Sequence, residues 1–91
     1  MRDIRSIHDF IAEDSPDAAA RVLISLVSVI QRLAAFPQSG RIVPDDEGRE
    51  IREVVRRPYR IPYRLHGDDV RILRVFHSAR LVHSGELEES E

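Results

Sequence analysis

The sequence predicts an α+β domain in which an antiparallel helix hairpin packs on one face of a small antiparallel sheet of about three strands. Three observations carry this reading. Apolar residues recur with a helical period as far as Phe36 and with a period of two from Ile51 onward, the change falling around Gly48. Ser15-Pro16-Asp17 reads as a helix start. His66-Gly67-Asp68-Asp69 is tight-hairpin chemistry between two β-rich runs.

Ile4, Ile7, Phe10 and Ile11 fall at i, i+3, i+6 and i+7, which predicts a first helix over residues 3–13 with these side chains on one face. Ser15 then offers a capping oxygen, Pro16 stands where a missing N–H costs nothing, and Asp17 sets a carboxylate at the positive helix end. Val22, Leu23, Leu26, Val27, Ile30, Leu33 and Ala34 continue an apolar face until Pro37 disfavours the helical conformation at Phe36, so the second helix is expected over 16–35. With only Asp14 and Ser15 between them, the two helices must fold back on each other. Ile7, Ile11, Leu23, Leu26, Ile30 and Leu33 are the expected core. Pro37-Gln38-Ser39-Gly40 is turn chemistry, and the stretch to Gly48 is expected to be loop.

Strands are expected over 51–56, 59–66 and 70–77. In the middle one Tyr59, Ile61, Tyr63 and Leu65 alternate with Arg60, Pro62 and Arg64. Pro62 has no N–H for a ladder and belongs at an edge or an irregular site. In the last run Val70, Ile72, Arg74 and Phe76 share one face while Leu73 and Val75 lie opposite, the pattern of a strand buried on part of both faces.

At 91 residues, 42% of them hydrophobic, the chain is expected to be a single domain spanning 1–91, with an acidic tail over 81–91 that is either a short helix or a frayed end. The absence of cysteine removes disulfides, thiolate nucleophiles and cysteine-based metal sites. The apolar run Val22–Phe36 is interrupted by Ser25, Ser28, Gln31 and Arg32 and falls short of the roughly 20 apolar residues of a membrane span. The N-terminus lacks the apolar core of a signal peptide, so the expected compartment is the cytoplasm and no membrane partner is expected. His8, His66, His77 and His83 are too far apart for a local zinc motif; neither metal nor cofactor is expected.

The net charge of −2 hides a strong segregation: residues 49–80 hold nine Arg against four acids, while 81–91 hold four Glu and no cation. All fourteen basic residues are Arg, which suits bidentate contact with carboxylate or phosphate and is equally the mark of codon bias in a GC-rich genome. Arg60 and Arg64, with Arg71 or Arg74 if the register permits, would make the sheet face away from the helices an open basic surface. For Arg56, Arg57, Arg60 and Arg64, which cluster around the second strand, the plainer reading is a solvated face with internal pairs to Glu50, Glu53 or Asp69.

Four pieces in order resemble the RelE/ParE toxin superfamily over about residues 3–80: Ala18-Ala19-Ala20 opening the long helix, Phe36-Pro37-Gln38-Ser39-Gly40-Arg41, Tyr59-Arg60-Ile61-Pro62-Tyr63-Arg64, and Ile72 to Arg80. The resemblance implies the toxin of a type II toxin–antitoxin, or plasmid stabilisation, system, neutralised by a cognate ParD- or RelB-like antitoxin. Members usually begin with a strand before the first helix, whereas this sequence starts at Met1 directly in that helix. The RelE branch cleaves mRNA on the ribosome with several basic residues and a late tyrosine. Arg60 matches its YR pair, but Ser78 stands near the later catalytic arginine and no Tyr or Lys follows Tyr63. The sequence looks like the ParE branch, whose members inhibit DNA gyrase by binding.

Cleavage through a 2′-hydroxyl needs a base, a cation at the phosphate and an acid. Arg supplies only the second, and His77 is the nearby group that titrates near neutrality, so a nuclease would rest on His77 and Arg60. The bland alternative for His77 is a strand-end imidazole bonded to a loop carbonyl. Arg57, Arg60, Arg64, Arg74 and Arg80 are the candidate contacts to target or antitoxin. Three functions follow: a ParE-type binding toxin first, a RelE-type ribosome-dependent endoribonuclease second, and a degenerate, non-toxic, antitoxin-binding member third.

Overall fold

A computed structural model describes residues 2–80, 82 and 84–87 and runs α1 (Arg2–Ala12), α2 (Pro16–Ala35), β1 (Arg41–Val43), β2 (Ile51–Arg56), β3 (Tyr59–His66), β4 (Asp69–Ile72), β5 (Phe76–His77) and a 3₁₀ turn at Ser84–Glu86. The expected class holds, a helix hairpin on one face of an antiparallel sheet. Ser15 Oγ accepts from the Ala18 N–H at 3.2 Å with Pro16 in the first turn, and Phe36 N–H donates back to Arg32 O as the helix stops. By length and composition α2 could cross a bilayer. Here it is the core helix: Ala19, Leu26 and Leu33 are buried, and Leu26 packs with Ile61 and Val75. Phe10, expected on the buried face of α1, is 75% exposed. Six positions past Ile4 it is rotated about 120° around the helix, beyond the stripe that Ile4 and Ile7 lay against the sheet.

Among the described residues the sheet has five strands where about three were expected, in the order β1-β2-β3-β4, with β5 also on β3. Two departures account for the difference. Arg41–Val43, expected as loop, pairs with β2 in the register Arg41↔Glu53, Ile42↔Arg52, Val43↔Ile51. Three residues between Gly40 and Pro44 are too few for an alternation to show. The expected strand 70–77 is broken into β4 and β5. Tyr63 faces Ile72 and Arg60 faces Phe76, so three steps along β3 match four along the partner. One extra residue flips every later side chain: Ile72 packs toward the helices, Phe76 lies on the other face, and His77 returns to the helix side opposite Tyr59. This bulge is why the sequence pattern there looked mixed.

Pro62 sits in the central strand yet breaks no ladder. Its carbonyl accepts from Leu73 N–H at 3.0 Å, so its nitrogen faces the bulge between β4 and β5, the irregular site a proline requires. At the β3–β4 turn Gly67 takes φ +61, as the first central residue of a II′-type hairpin does.

Two polar clamps hold remote segments. Tyr63 is fully buried, and its hydroxyl donates to Pro37 O at 2.7 Å while accepting from Gly40 N–H at 2.9 Å. Gly40 is needed there because a Cβ would stand 2.6 Å from the Tyr63 ring and 2.9 Å from Glu53 O. Asp3 Oδ2 accepts from Arg74 Nε at 2.7 Å and from Val75 N–H at 2.9 Å, closing the bulge with the first turn of α1. The hydrogen bond and charge of Asp3 hold the Arg74 guanidinium above its ordinary pKa despite some burial.

Tyr63→Phe, which strands Gly40 N–H and Pro37 O, is expected to cost about 1–3 kcal/mol in urea unfolding with the m-value unchanged. Asp3→Asn should lose a similar amount, about 1–3 kcal/mol. Because a raised guanidinium pKa gives stability that is present below the unfolded value and is lost only in strong alkali, the Asp3→Asn deficit should be equal at pH 7 and pH 9 in the same assay.

Candidate functional site

Alternation along β2 and β3 turns Val54, Tyr59 and Ile61 to the helices and Glu53, Val55, Arg60 and Pro62 to the opposite face. On that face the cross-strand rows are Arg41–Glu53–Pro62 and Val55–Arg60–Phe76. Glu53 is only 7% exposed; its Oε1 accepts from Arg41 Nη2 at 3.3 Å and forms an ion pair with Arg60, whose Nε lies 3.2 Å away. One charge-assisted hydrogen bond and a second ion pair offset the burial of the carboxylate. Around this trio lies a cleft of about 260 Å³, completed by Phe76, Arg80 and Leu87. Past Arg41 and Arg60 it opens into a wider hollow of about 610 Å³ that reaches Val55, Arg57 and Ser78. Ser78 donates through both its N–H and its Oγ to Pro58 O, at 2.7 and 2.8 Å, and so pins the Arg57-Pro58 turn beside the end of β5.

The face is not the open surface the sequence suggested. Ile51, Glu53, Pro62 and Phe76 on it are buried. Val82 and Leu87 line the cleft, Leu87 O accepts from Arg49 Nη1 at 2.9 Å, and Glu86 Oε1 accepts from Arg80 Nη2 at 2.6 Å. Arg49 is itself anchored on Asp45, whose two carboxylate oxygens take its N–H, Nε and Nη2 at 2.9 to 3.1 Å.

Of the arginines singled out from sequence, Arg57 and Arg60 line the hollow, and Arg80 lines the cleft. Arg64 is on the same face, half-buried opposite Arg71, and lines neither. Arg74 lies between Asp3 and Glu86, 4.0 Å from the latter. His77 is on the other face: it pairs with Tyr59, packs edge-on against that ring at 5.9 Å between centroids, and its Nδ1 accepts from Ala79 N–H at 3.1 Å. The ring is thus bonded to a loop N–H where a loop carbonyl was the expected alternative. Arg60 and His77, the pair a nuclease was expected to use, project from opposite sides of the sheet.

Sequence reasoning missed Arg41 and left Glu53 as one of several ordinary surface pairs. Arg41 was hidden in a stretch read as loop. Glu53 was legible in principle, because Ile51, Glu53 and Val55 share one face of a strand and a carboxylate between two β-branched residues asks for a partner. Among the described residues no group of three His, Asp or Glu side chains is placed to hold a metal ion.

Comparison with known proteins places these features in a family. Residues 1–82 match the family described as the ParE toxin of the type II toxin–antitoxin system parDE. A Sinorhizobium fredii (strain NBRC 101917 / NGR234) protein, named provisionally as toxin Y4kP, is 40% identical over 78 residues, covering 86% of this chain and 79% of its own. Toxin RelE2 of Caulobacter vibrioides (strain ATCC 19089 / CIP 103742 / CB 15) is 37% identical over 82 residues, 89% of each chain. With the helix hairpin, the antiparallel sheet and the arginine-lined cleft, these matches make the chain a member of the ParE toxin family of type II toxin–antitoxin systems.

Proposed function

We propose that this toxin acts in the cytoplasm by binding, with DNA gyrase as its target, and that a cognate antitoxin neutralises it by laying acidic residues over the arginine-lined cleft. The observation that carries the reading is the separation of Arg60 from His77 across the sheet. A phosphate held at Arg60 is out of reach of that imidazole, and general acid–base catalysis requires hydrogen-bond reach. The cations around the hollow suit an anionic protein surface: Arg57 is exposed with its neighbours Pro58 and Ser78, and Arg60 pairs with Glu53 among the described residues. Arg64, Arg74 and Arg80 complete the proposed contact set, Arg74 and Arg80 after giving up Glu86.

A second reading rests on Glu53. A carboxylate 3.2 Å from an arginine can serve as a base beside a phosphate-binding cation. Its Oε1 already accepts from Arg41 and is paired with Arg60, which engages that oxygen and favours the binding role.

Inducing the chain without antitoxin and following plasmid supercoiling beside codon-resolved transcript cleavage separates the readings. Loss of supercoiling with intact transcripts, unchanged in Glu53→Gln and in His77→Ala, is expected. Ribosome-dependent cuts that fall about 10²–10⁴-fold in Glu53→Gln would establish the nuclease instead. Normal growth throughout would leave antitoxin binding as the chain's role. Arg57→Glu with Arg60→Glu should weaken antitoxin binding at least about tenfold by calorimetry, with the loss shrinking as salt is raised.

A further inference from the structure

Tail residues form part of the cleft wall. Leu87 and Val82 line it together with Phe76 and Arg41. Glu86 Oε1 is 2.6 Å from Arg80 Nη2 and 4.0 Å from Arg74 Nη1, and Leu87 O accepts from Arg49 Nη1 at 2.9 Å. A carboxylate, an apolar side chain and a main-chain carbonyl from two consecutive residues thus meet three guanidiniums and an apolar floor. That is the contact set of peptide recognition, charge-assisted at one end and hydrophobic at the other. Complementarity extends along the sequence, since 81–91 carry four Glu and no cation while 49–80 carry nine Arg against four acids. The segment itself is a three-residue 3₁₀ turn with Gly85 exposed.

We propose that residues 84–87 are an internal competitor for the cleft, and that the cleft's external ligand is a protein segment presenting a carboxylate followed directly by an apolar side chain, which binds by displacing Glu86 and Leu87. Glu86 is only six positions beyond Arg80, so the tail acts at an effective concentration on the order of millimolar. A partner making the same two contacts does not outcompete it. One that also reaches Arg57 and Arg60 in the adjoining hollow, whose lining among the described residues includes none of the tail, does. The free chain is then closed and the bound chain open. The inference rests on the proposed antitoxin-binding role of the same cleft only for the identity of the partner.

The test uses the chain's own tail, so its failure leaves the toxin reading standing, and failure of that reading leaves the tail contact standing. A fluorescein-labelled peptide of residues 82–91, VHSGELEESE, is titrated with the full chain and followed by anisotropy. A Glu86→Gln/Leu87→Asp chain should bind it at least about tenfold more tightly than the wild type, and the peptide carrying the same two substitutions should bind neither. Equal affinity of the two chains, or binding of the substituted peptide, overturns the proposal. A second measurement does not depend on the double variant. Leu87→Cys gives this cysteine-free chain a single thiol, whose reaction rate with a disulfide reagent reads the opening of the tail. Adding Glu86→Gln, or saturating unlabelled peptide, should raise that rate severalfold with the melting curve unchanged. Unchanged rates overturn the proposal, and so does acceleration by a single-stranded oligonucleotide but not by the peptide, which would make nucleic acid the ligand.

Discussion

The hydroxyl of Tyr63 is the constraint on which the rest of the structure depends. It lies fully buried on the central strand and satisfies both Pro37 O and Gly40 N–H, so the turn leaving α2 is fastened to the middle of the sheet. Arg52 Nη1 adds bonds to Gln38 O and Gly40 O from the neighbouring strand. With the turn fixed, Arg41–Val43 follows directly as the edge strand, and Arg41 arrives opposite Glu53. A chain of this size buries few large side chains, here Tyr63, Leu26, Leu33, Ile51 and Ile61, and a loop that cannot be buried must be held by bonds whose loss leaves a polar group unpaired.

The same logic explains the motifs that carry the resemblance to known toxins. Phe36-Pro37-Gln38-Ser39-Gly40-Arg41 supplies the carbonyl, the amide and the glycine that fit against Tyr63, while Tyr59-Arg60-Ile61-Pro62-Tyr63-Arg64 supplies the hydroxyl, one core residue and one cleft cation. Phe76-His77-Ser78 returns to Pro58 O through Ser78. These stretches are distant in sequence and adjacent in space, and each contains residues for framework and for cleft. A substitution at one can therefore disturb both, so stability has to be measured beside any loss of activity.

Electrostatics distinguishes the arginines that sequence treats alike. Asp3 commits Arg74 to the bulge and Asp45 commits Arg49 to the loop before β2, while Glu53 is divided between Arg41 and Arg60. Arg57 projects from the β2–β3 turn into the hollow. A positive segment of the sequence thus becomes a graded surface, in which cations that brace the fold stand beside cations that a partner can recruit.

Periodicity and turn chemistry alone determined both helices, the hairpin between them, the two long strands and the tight turn at Gly67, because these depend on neighbours within a few residues. The clustering of Arg57, Arg60 and Arg80 at one cleft was half legible, since period two places Arg60 on the face away from Ile61 but says nothing of what lies across the strand. Tertiary structure decided the rest. A one-residue bulge after Ile72 sent Phe76 to one face and His77 to the other, a three-residue strand brought Arg41 to Glu53, and Glu86-Leu87 folded back onto the cleft. Each of these turns on the register or docking of segments far apart in the chain, where a shift of one residue exchanges the two faces of a sheet and leaves the local sequence pattern unchanged.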